Sequence, residues 1–125
     1  MNVKTNLKNN LDGLPPEQAT MLGILTVALY DASLVTFEYD GKPRTVEVHA
    51  IGRSTKDGSL VMRAYQVDGE SSRPVPGWSL FSLSKIDLFE MGVSRTRGGS
   101  EAPRDGYVMD DKQMSPVLAQ IDTSV

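Results

Sequence analysis

Between Val35 and Ile86 the apolar residues of this chain recur at every second position, and turn-forming dipeptides break the pattern. Val35, Phe37 and Tyr39 fall on one face of an extended run, and Leu34, Thr36 and Glu38 on the other. Asp40-Gly41 follows, a pair suited to a tight hairpin. Arg44 to Ile51 makes a second strand, with Val46, Val48 and Ala50 on one face. Arg44 joins that face at the strand's start, while Glu47, His49 and Ile51 point the other way. Asp57-Gly58 marks a second hairpin, and Ser59 to Val67 a third strand, with Leu60, Met62 and Ala64 opposite Val61, Arg63 and Tyr65. After a loop from Asp68 to Gly77, Trp78 to Leu83 and Ile86 to Met91 complete a set of five. Short strands joined by tight turns predict an open antiparallel sheet or a small barrel.

The two ends read differently. Residues 1–14 are polar and are expected to be flexible. Pro15-Pro16-Glu17 opens a helix, since proline is tolerated in a first turn and Glu17 complements the positive helix end. Leu22, Leu25, Leu29 and Ala32 follow at helical spacing, and Ile24, Val27 and Ala28 widen the apolar arc, so Pro16 to Ser33 is expected to pack on the sheet. Residues 15–91 therefore form the folded unit, and residues 92–125 an irregular tail. Gly92 to Pro103 is expected to be the most mobile internal stretch, and Asp110 to Met114 has room for one helical turn. Val117 to Ile121 is apolar enough to dock, as a closing strand or short helix, on the sheet or on a neighbouring protomer.

Length and composition exclude several classes. A chain of 125 residues fits one domain, and without cysteine it has no disulfide, thiolate metal site or cysteine nucleophile. No apolar run suits a membrane span, and the N-terminus lacks the layout of a signal peptide, so a cytoplasmic protein is expected. The net charge of −3 argues against a general nucleic-acid binder. Yet residues 42–85 carry seven basic against four acidic side chains, while both flanks are net acidic. This asymmetry suits either a local anion site in the β-rich middle or a solvated surface of mixed charge. Arg95, Arg97, Gly98 and Gly99 lack the Gly-Lys-Ser/Thr of a phosphate loop, and Asp105, Asp110 and Asp111 lack calcium-loop spacing, so no metal or cofactor is expected. His49, the only histidine, has no recognisable nucleophile motif beside it, which argues against an enzyme.

Four segments in order carry a family likeness: Phe37-x-Tyr39-x-Gly41, Arg44-x-Val46-Glu47, Ala64-Tyr65 and Phe81-x-Leu83-x-Lys85-Ile86. Together they resemble the WYL domain over roughly residues 17–90, and Phe81 to Ile86 is similar to the family's Phe-Arg-Leu-Asp-Arg-Ile. The Trp-Tyr-Leu that names the family falls on Leu60, Val61 and Met62 here, and the family's proline after Val-Glu is Val48. The second strand, the loop to Trp78 and the tail are similar to small standalone WYL-like proteins of bacteria and phages. The resemblance implies a five-stranded SH3/Sm-type barrel preceded by a helix, without the helix-turn-helix module of WYL transcription regulators. It also implies a ligand-binding module for nucleotides or short single-stranded nucleic acid, regulatory or signal-sequestering in role. Its contacts would be Tyr39, Arg44, His49, Arg63, Tyr65 and Lys85, and Arg53 and Arg73 complete the candidate set. Guanidinium groups match phosphate geometry, and an aromatic ring beside an arginine can stack on a base. The alternatives are a module that self-associates through sheet edges and, third, a small nucleotide hydrolase.

Overall fold

The computed structural model describes residues 2–8, 10–94 and 102–124, with the side chains of residue 88 and of 91–94 left aside. It is mainly β, with seven antiparallel strands and one helix: β1 (Asn2–Thr5), α1 (Pro16–Asp31), β2 (Ser33–Tyr39), β3 (Lys42–Ser54), β4 (Leu60–Gly69), β5 (Gly77–Ser82), a 3-10 turn (Leu83–Lys85), β6 (Asp87–Ser94) and β7 (Met114–Asp122). The five expected strands are β2 to β6. The expectation for Gly92 to Pro103, like the glycines and arginines at 95–99, falls mostly outside the described residues.

Both hairpins form where the dipeptides place them. Asp40 and Gly41 have φ of 54° and 72°, and Tyr39 pairs with Lys42, which leaves a two-residue loop with both central residues left-handed. At the second, Gly58 N–H donates to Ser54 O, and the Asp57 carboxylate accepts from Ser59 N–H. The helix buries Leu22, Leu25, Ala28 and Leu29 and leaves Val27 and Tyr30 exposed, so the arc facing the sheet is narrower than the apolar pattern. It ends at Ala32, whose left-handed backbone turns the chain into β2.

Three features add to or correct the sequence reading. First, β6 pairs with β2 rather than with β5. The 3-10 turn between them buries Leu83 and Ile86, and this takes the chain across the core to β2's open side. Second, the ends are not loose: β7 pairs with the late half of β3, and β1 pairs with β7, so residues 2–5, read as part of a flexible segment, form an edge strand. The tail residues Val117 to Ile121 dock on the sheet as a strand, whereas in the stretch from Asp110 to Met114 the chain makes a turn, not a helix, and Met114 already opens β7. Third, the pairing path runs β1-β7-β3-β2-β6, with β4 and β5 branching from β3, and no ladder among the described residues closes it. No helix among the described residues is long and apolar enough to cross a membrane.

A single extra residue organises β3. Val48 pairs with Ala64 and Ala50 with Arg63, so His49 is a β-bulge. Alternation restarts after it, which returns Ile51 to the core face with Val46 and Val48 and moves Ala50 into a second cluster with Val61 and Met114. The faces of Ala50 and Ile51 are therefore exchanged relative to a strict period of two. Leu118, Ala119 and Ile121 of β7 belong to the main core. Replacing the fully buried Leu118 by Ala should cost about 2–5 kcal/mol in urea unfolding. A loss below about 1 kcal/mol would mean that β7 is not part of the core in solution.

Candidate functional site

The candidate residues separate into four places. On the outer face of β3, β4 and β5, His49, Tyr65 and Trp78 meet. Tyr65 pairs across strands with Trp78, and the His49 and Tyr65 rings stand edge-on to the indole at centroid distances of 4.6 and 5.3 Å. The segment from residue 102 to 113 covers this face. Arg104 places its guanidinium 4.8 Å from the Tyr65 ring centroid and forks onto Glu47, with Nε–Oε1 at 2.7 Å and Nη2–Oε2 at 3.3 Å. Glu47 is only 5% exposed, so this pairing neutralises a carboxylate that water barely reaches. Trp78 Nε1 donates to Asp105 O at 3.0 Å, and Tyr107 Oη donates to Ile121 O at 2.7 Å.

His49 is fully buried at the centre of this arrangement. Arg104 N–H donates to Nε2 at 3.2 Å, which assigns the ring proton to Nδ1, and Nδ1 donates to Glu47 O at 3.0 Å. With both ring nitrogens engaged below the surface, His49 is not placed to take a proton from a substrate. Among the described residues no three histidine or carboxylate side chains gather in a way that would hold a metal ion.

Arg63 lies beside this face. Its Nε and Nη2 grip Asp111 at 2.8 and 3.5 Å, and Nη2 also donates to Gln113 Oε1 at 2.7 Å. A mid-strand charge between Met62 and Ala64 calls for solvent or an anionic partner, and the tail supplies that partner. Burial pushes the Asp111 carboxyl up, but Arg63's hydrogen bond, the Gln113 N–H and Arg63's charge outweigh it and hold the group below its ordinary value. Arg53 serves another purpose. Its three nitrogens donate to the carbonyls of Asn10, Asp12 and Gly58 at 2.9 to 3.1 Å and fasten the N-terminal segment to the β3–β4 hairpin.

Arg44 and Arg73 form the third place. They line a cleft of about 160 Å³ with Ser71, Ser72, Ser79 and Asp40. Arg44 is 6% exposed. Its Nη1 donates to Gln66 Oε1 at 3.3 Å and its Nη2 to Tyr39 O at 3.1 Å, while Nε has no hydrogen-bond partner. Gln66 is oriented by its own donations to the Asp68 and Glu70 carbonyls. The guanidinium carbon lies 5.6 and 5.8 Å from the Tyr39 and Phe81 ring centroids, within cation–π range. No carboxylate among the described residues forms an ion pair with Arg44. Exposed Arg73 overhangs the same cleft.

Lys85 marks the fourth place, at the rim of a cleft of about 330 Å³ that also takes in Lys56, Asp57 and Tyr39. The Tyr39 ring packs edge-on against Phe37 and Phe81, and its hydroxyl accepts from Ser82 N–H.

Sequence reasoning missed Glu47, Arg104, Tyr107 and Asp111 as partners. The Arg104–Glu47 pair spans 57 positions and the Arg63–Asp111 pair 48, and no local pattern links such positions. The one available signal is the number of charged residues in a tail that also carries docking hydrophobes.

Asp111 sets an acid-side expectation. Its folded pKa lies below the unfolded one, so the stability it contributes is present above the unfolded value and is lost as pH falls through the folded value. Asp111→Asn should therefore melt below wild type at neutral pH, and the gap should narrow on acidification through that window. A gap that stays constant into strong acid would show that the charge of Asp111 does not stabilise the fold. The chain matches no protein-family model, no curated protein and no solved structure, so the reading of this site rests on its own geometry.

Proposed function

We propose that this chain is a non-enzymatic binding module of the WYL-like kind, built on a small SH3/Sm-type barrel. In this reading it takes the phosphate of a nucleotide or short single-stranded nucleic acid in the cleft at Arg44 and Arg73. The barrel reading draws support from the five central strands, which follow the path β5-β4-β3-β2-β6. The two ends of that path are consecutive in sequence and joined by one 3-10 turn, as in a sheet curled on itself. The internal engagement of both His49 ring nitrogens supports binding without catalysis.

The observation that carries the ligand reading is Arg44. Among the described residues this buried guanidinium is held by neutral oxygens and ring faces, which leaves its charge uncompensated there. Burying such a charge is costly, and an anion in the adjoining cleft offsets that cost. The hydroxyls of Ser71, Ser72 and Ser79 and the second guanidinium of Arg73 suit phosphate oxygens. A volume of about 160 Å³ admits a phosphate group and leaves the nucleoside outside, since pockets for whole ligands run to roughly 300 Å³ and above.

Thermal melts with phosphate, mononucleotides and short oligonucleotides test this. A ligand at about a hundredfold its Kd should stabilise the wild type by roughly 2.7 kcal/mol. Arg73→Glu should remove most of that gain without changing the unliganded melt. Arg44→Met should also abolish the gain, while in the unliganded protein the removal of a buried charge works against the loss of its bonds to Gln66 and Tyr39. Absence of any stabilisation by these ligands, or a gain that survives Arg73→Glu, overturns the reading.

Self-association through strand edges is the second reading. Among the described residues β5 and β6 each pair on one side only, which leaves backbone groups available to another copy. Light scattering across a concentration series should then give a dimer mass, and a constant monomer mass removes this alternative.

A further inference from the structure

We propose that the cleft beside Trp78 binds a flat aromatic ligand carrying one anionic group, a carboxylate or a phosphate. The cleft measures about 410 Å³, within the range of small-ligand pockets. It shares no lining residue with the Arg44 cleft, so it goes beyond the phosphate reading above.

Its walls are Trp78, Tyr107 and Val108. The rings of Trp78 and Tyr107 lie within 28° of parallel, with centroids 6.4 Å apart. Each ring's polar atom is already satisfied inside the fold, the indole N–H by Asp105 O and the phenol by Ile121 O. What the two rings offer a ligand is therefore carbon surface, held in place by those bonds and by His49 and Tyr65 edge-on to the indole. Gly106 brings the backbone against the same ring: its φ is +91°, and a Cβ there would lie 3.1 Å from the indole nitrogen. Val108 is 72% exposed at the rim, an apolar side chain left to water beside an apolar cleft.

The charge at the rim selects an anion. Arg63 and Lys112 both line the cleft against one carboxylate, Asp111. Arg63 binds Asp111 through Nε and Nη2, so its Nη1 donates to no group among the described residues. The Lys112 ammonium likewise makes no hydrogen bond or ion pair among them. A planar ring laid against these apolar walls, with its acid toward the two cations, matches both the shape and the charge.

Trp78 is the only tryptophan in the chain, so its fluorescence reports on this cleft alone. The full chain is titrated with benzoate, phenyl phosphate, benzyl alcohol and cyclohexanecarboxylate. Benzoate and phenyl phosphate should change the emission saturably, and the neutral alcohol and the non-planar acid should bind several-fold more weakly. Val108→Asp and Lys112→Glu, both at exposed positions, should weaken the two aromatic anions several-fold with the melting temperature unchanged. Arg73→Glu, at the other cleft, should leave them untouched. The proposal is overturned if no saturable change occurs, if all four probes bind alike, or if Arg73→Glu weakens the aromatic anions as much as the rim variants do. Failure of phosphate to stabilise the Arg44 cleft would leave this result unaffected, so the two sites fail separately.

Discussion

The other elements depend on one long strand, because three neighbours pair with β3 and a single inserted residue decides how they are arranged. Along one edge β3 holds β2 over its first half and β7 over its second, while β4 follows the other edge through both. A regular strand of thirteen residues would present alternate side chains to one core throughout. The bulge at His49 divides it into two phases. Val46, Val48 and Ile51 then face one cluster, and Ala50 supports another under β7. The added local twist that a bulge brings also fits the change of neighbour from β2 to β7 at this point. His49, displaced from the regular ladder, becomes the buried centre of the outer aromatic group.

The outer face of β3 is thus closed by the chain itself. Every residue from Val46 to Gly52 is buried, which needs cover on both sides of the strand. The core supplies one side, and the segment carrying Arg104 and Tyr107 supplies the other. A loop over an apolar face needs partners for its polar groups. Here His49, Glu47 and Gln120 provide them, accepting from Arg104 and, in the case of Gln120, exchanging two hydrogen bonds with Asp110. The buried carboxylate of Glu47 makes sense only with this cover in place. An uncovered Glu47 would have to stand in solvent, as period-two reasoning places it.

This explains which parts of the fold were legible. Asp40-Gly41, Asp57-Gly58 and the leucines of α1 act through neighbours a few residues away, and local rules reach that far. The bulge was not legible, because one inserted residue at His49 leaves the composition of Arg44 to Ile51 looking like an uninterrupted strand. Strand β1 was missed for another reason: Asn2 to Thr5 is polar because it is an edge strand, and among the described residues its sheet partner, β7, lies at the far end of the chain. Of the candidate site, the sequence indicated basic groups among aromatics, and the structure distributes them over separate places on one sheet. It did not indicate which cations the fold itself neutralises.

That last distinction comes from comparing the arginines in place. Arg104 meets Glu47, Arg63 meets Asp111, and Arg53 is wrapped by three backbone carbonyls, so each contributes to holding a segment of the chain. Arg44 holds no segment by charge. Its neutral contacts orient it without discharging it, and its Nε remains buried without a partner. A side chain whose only role were structural would gain from being an apolar residue of similar volume, since its charge is costly where it sits. The arrangement becomes consistent when a mobile anion completes it. In the proposed reading, oriented donors, ring faces behind the guanidinium and a cleft of about 160 Å³ act together on a phosphate-sized group.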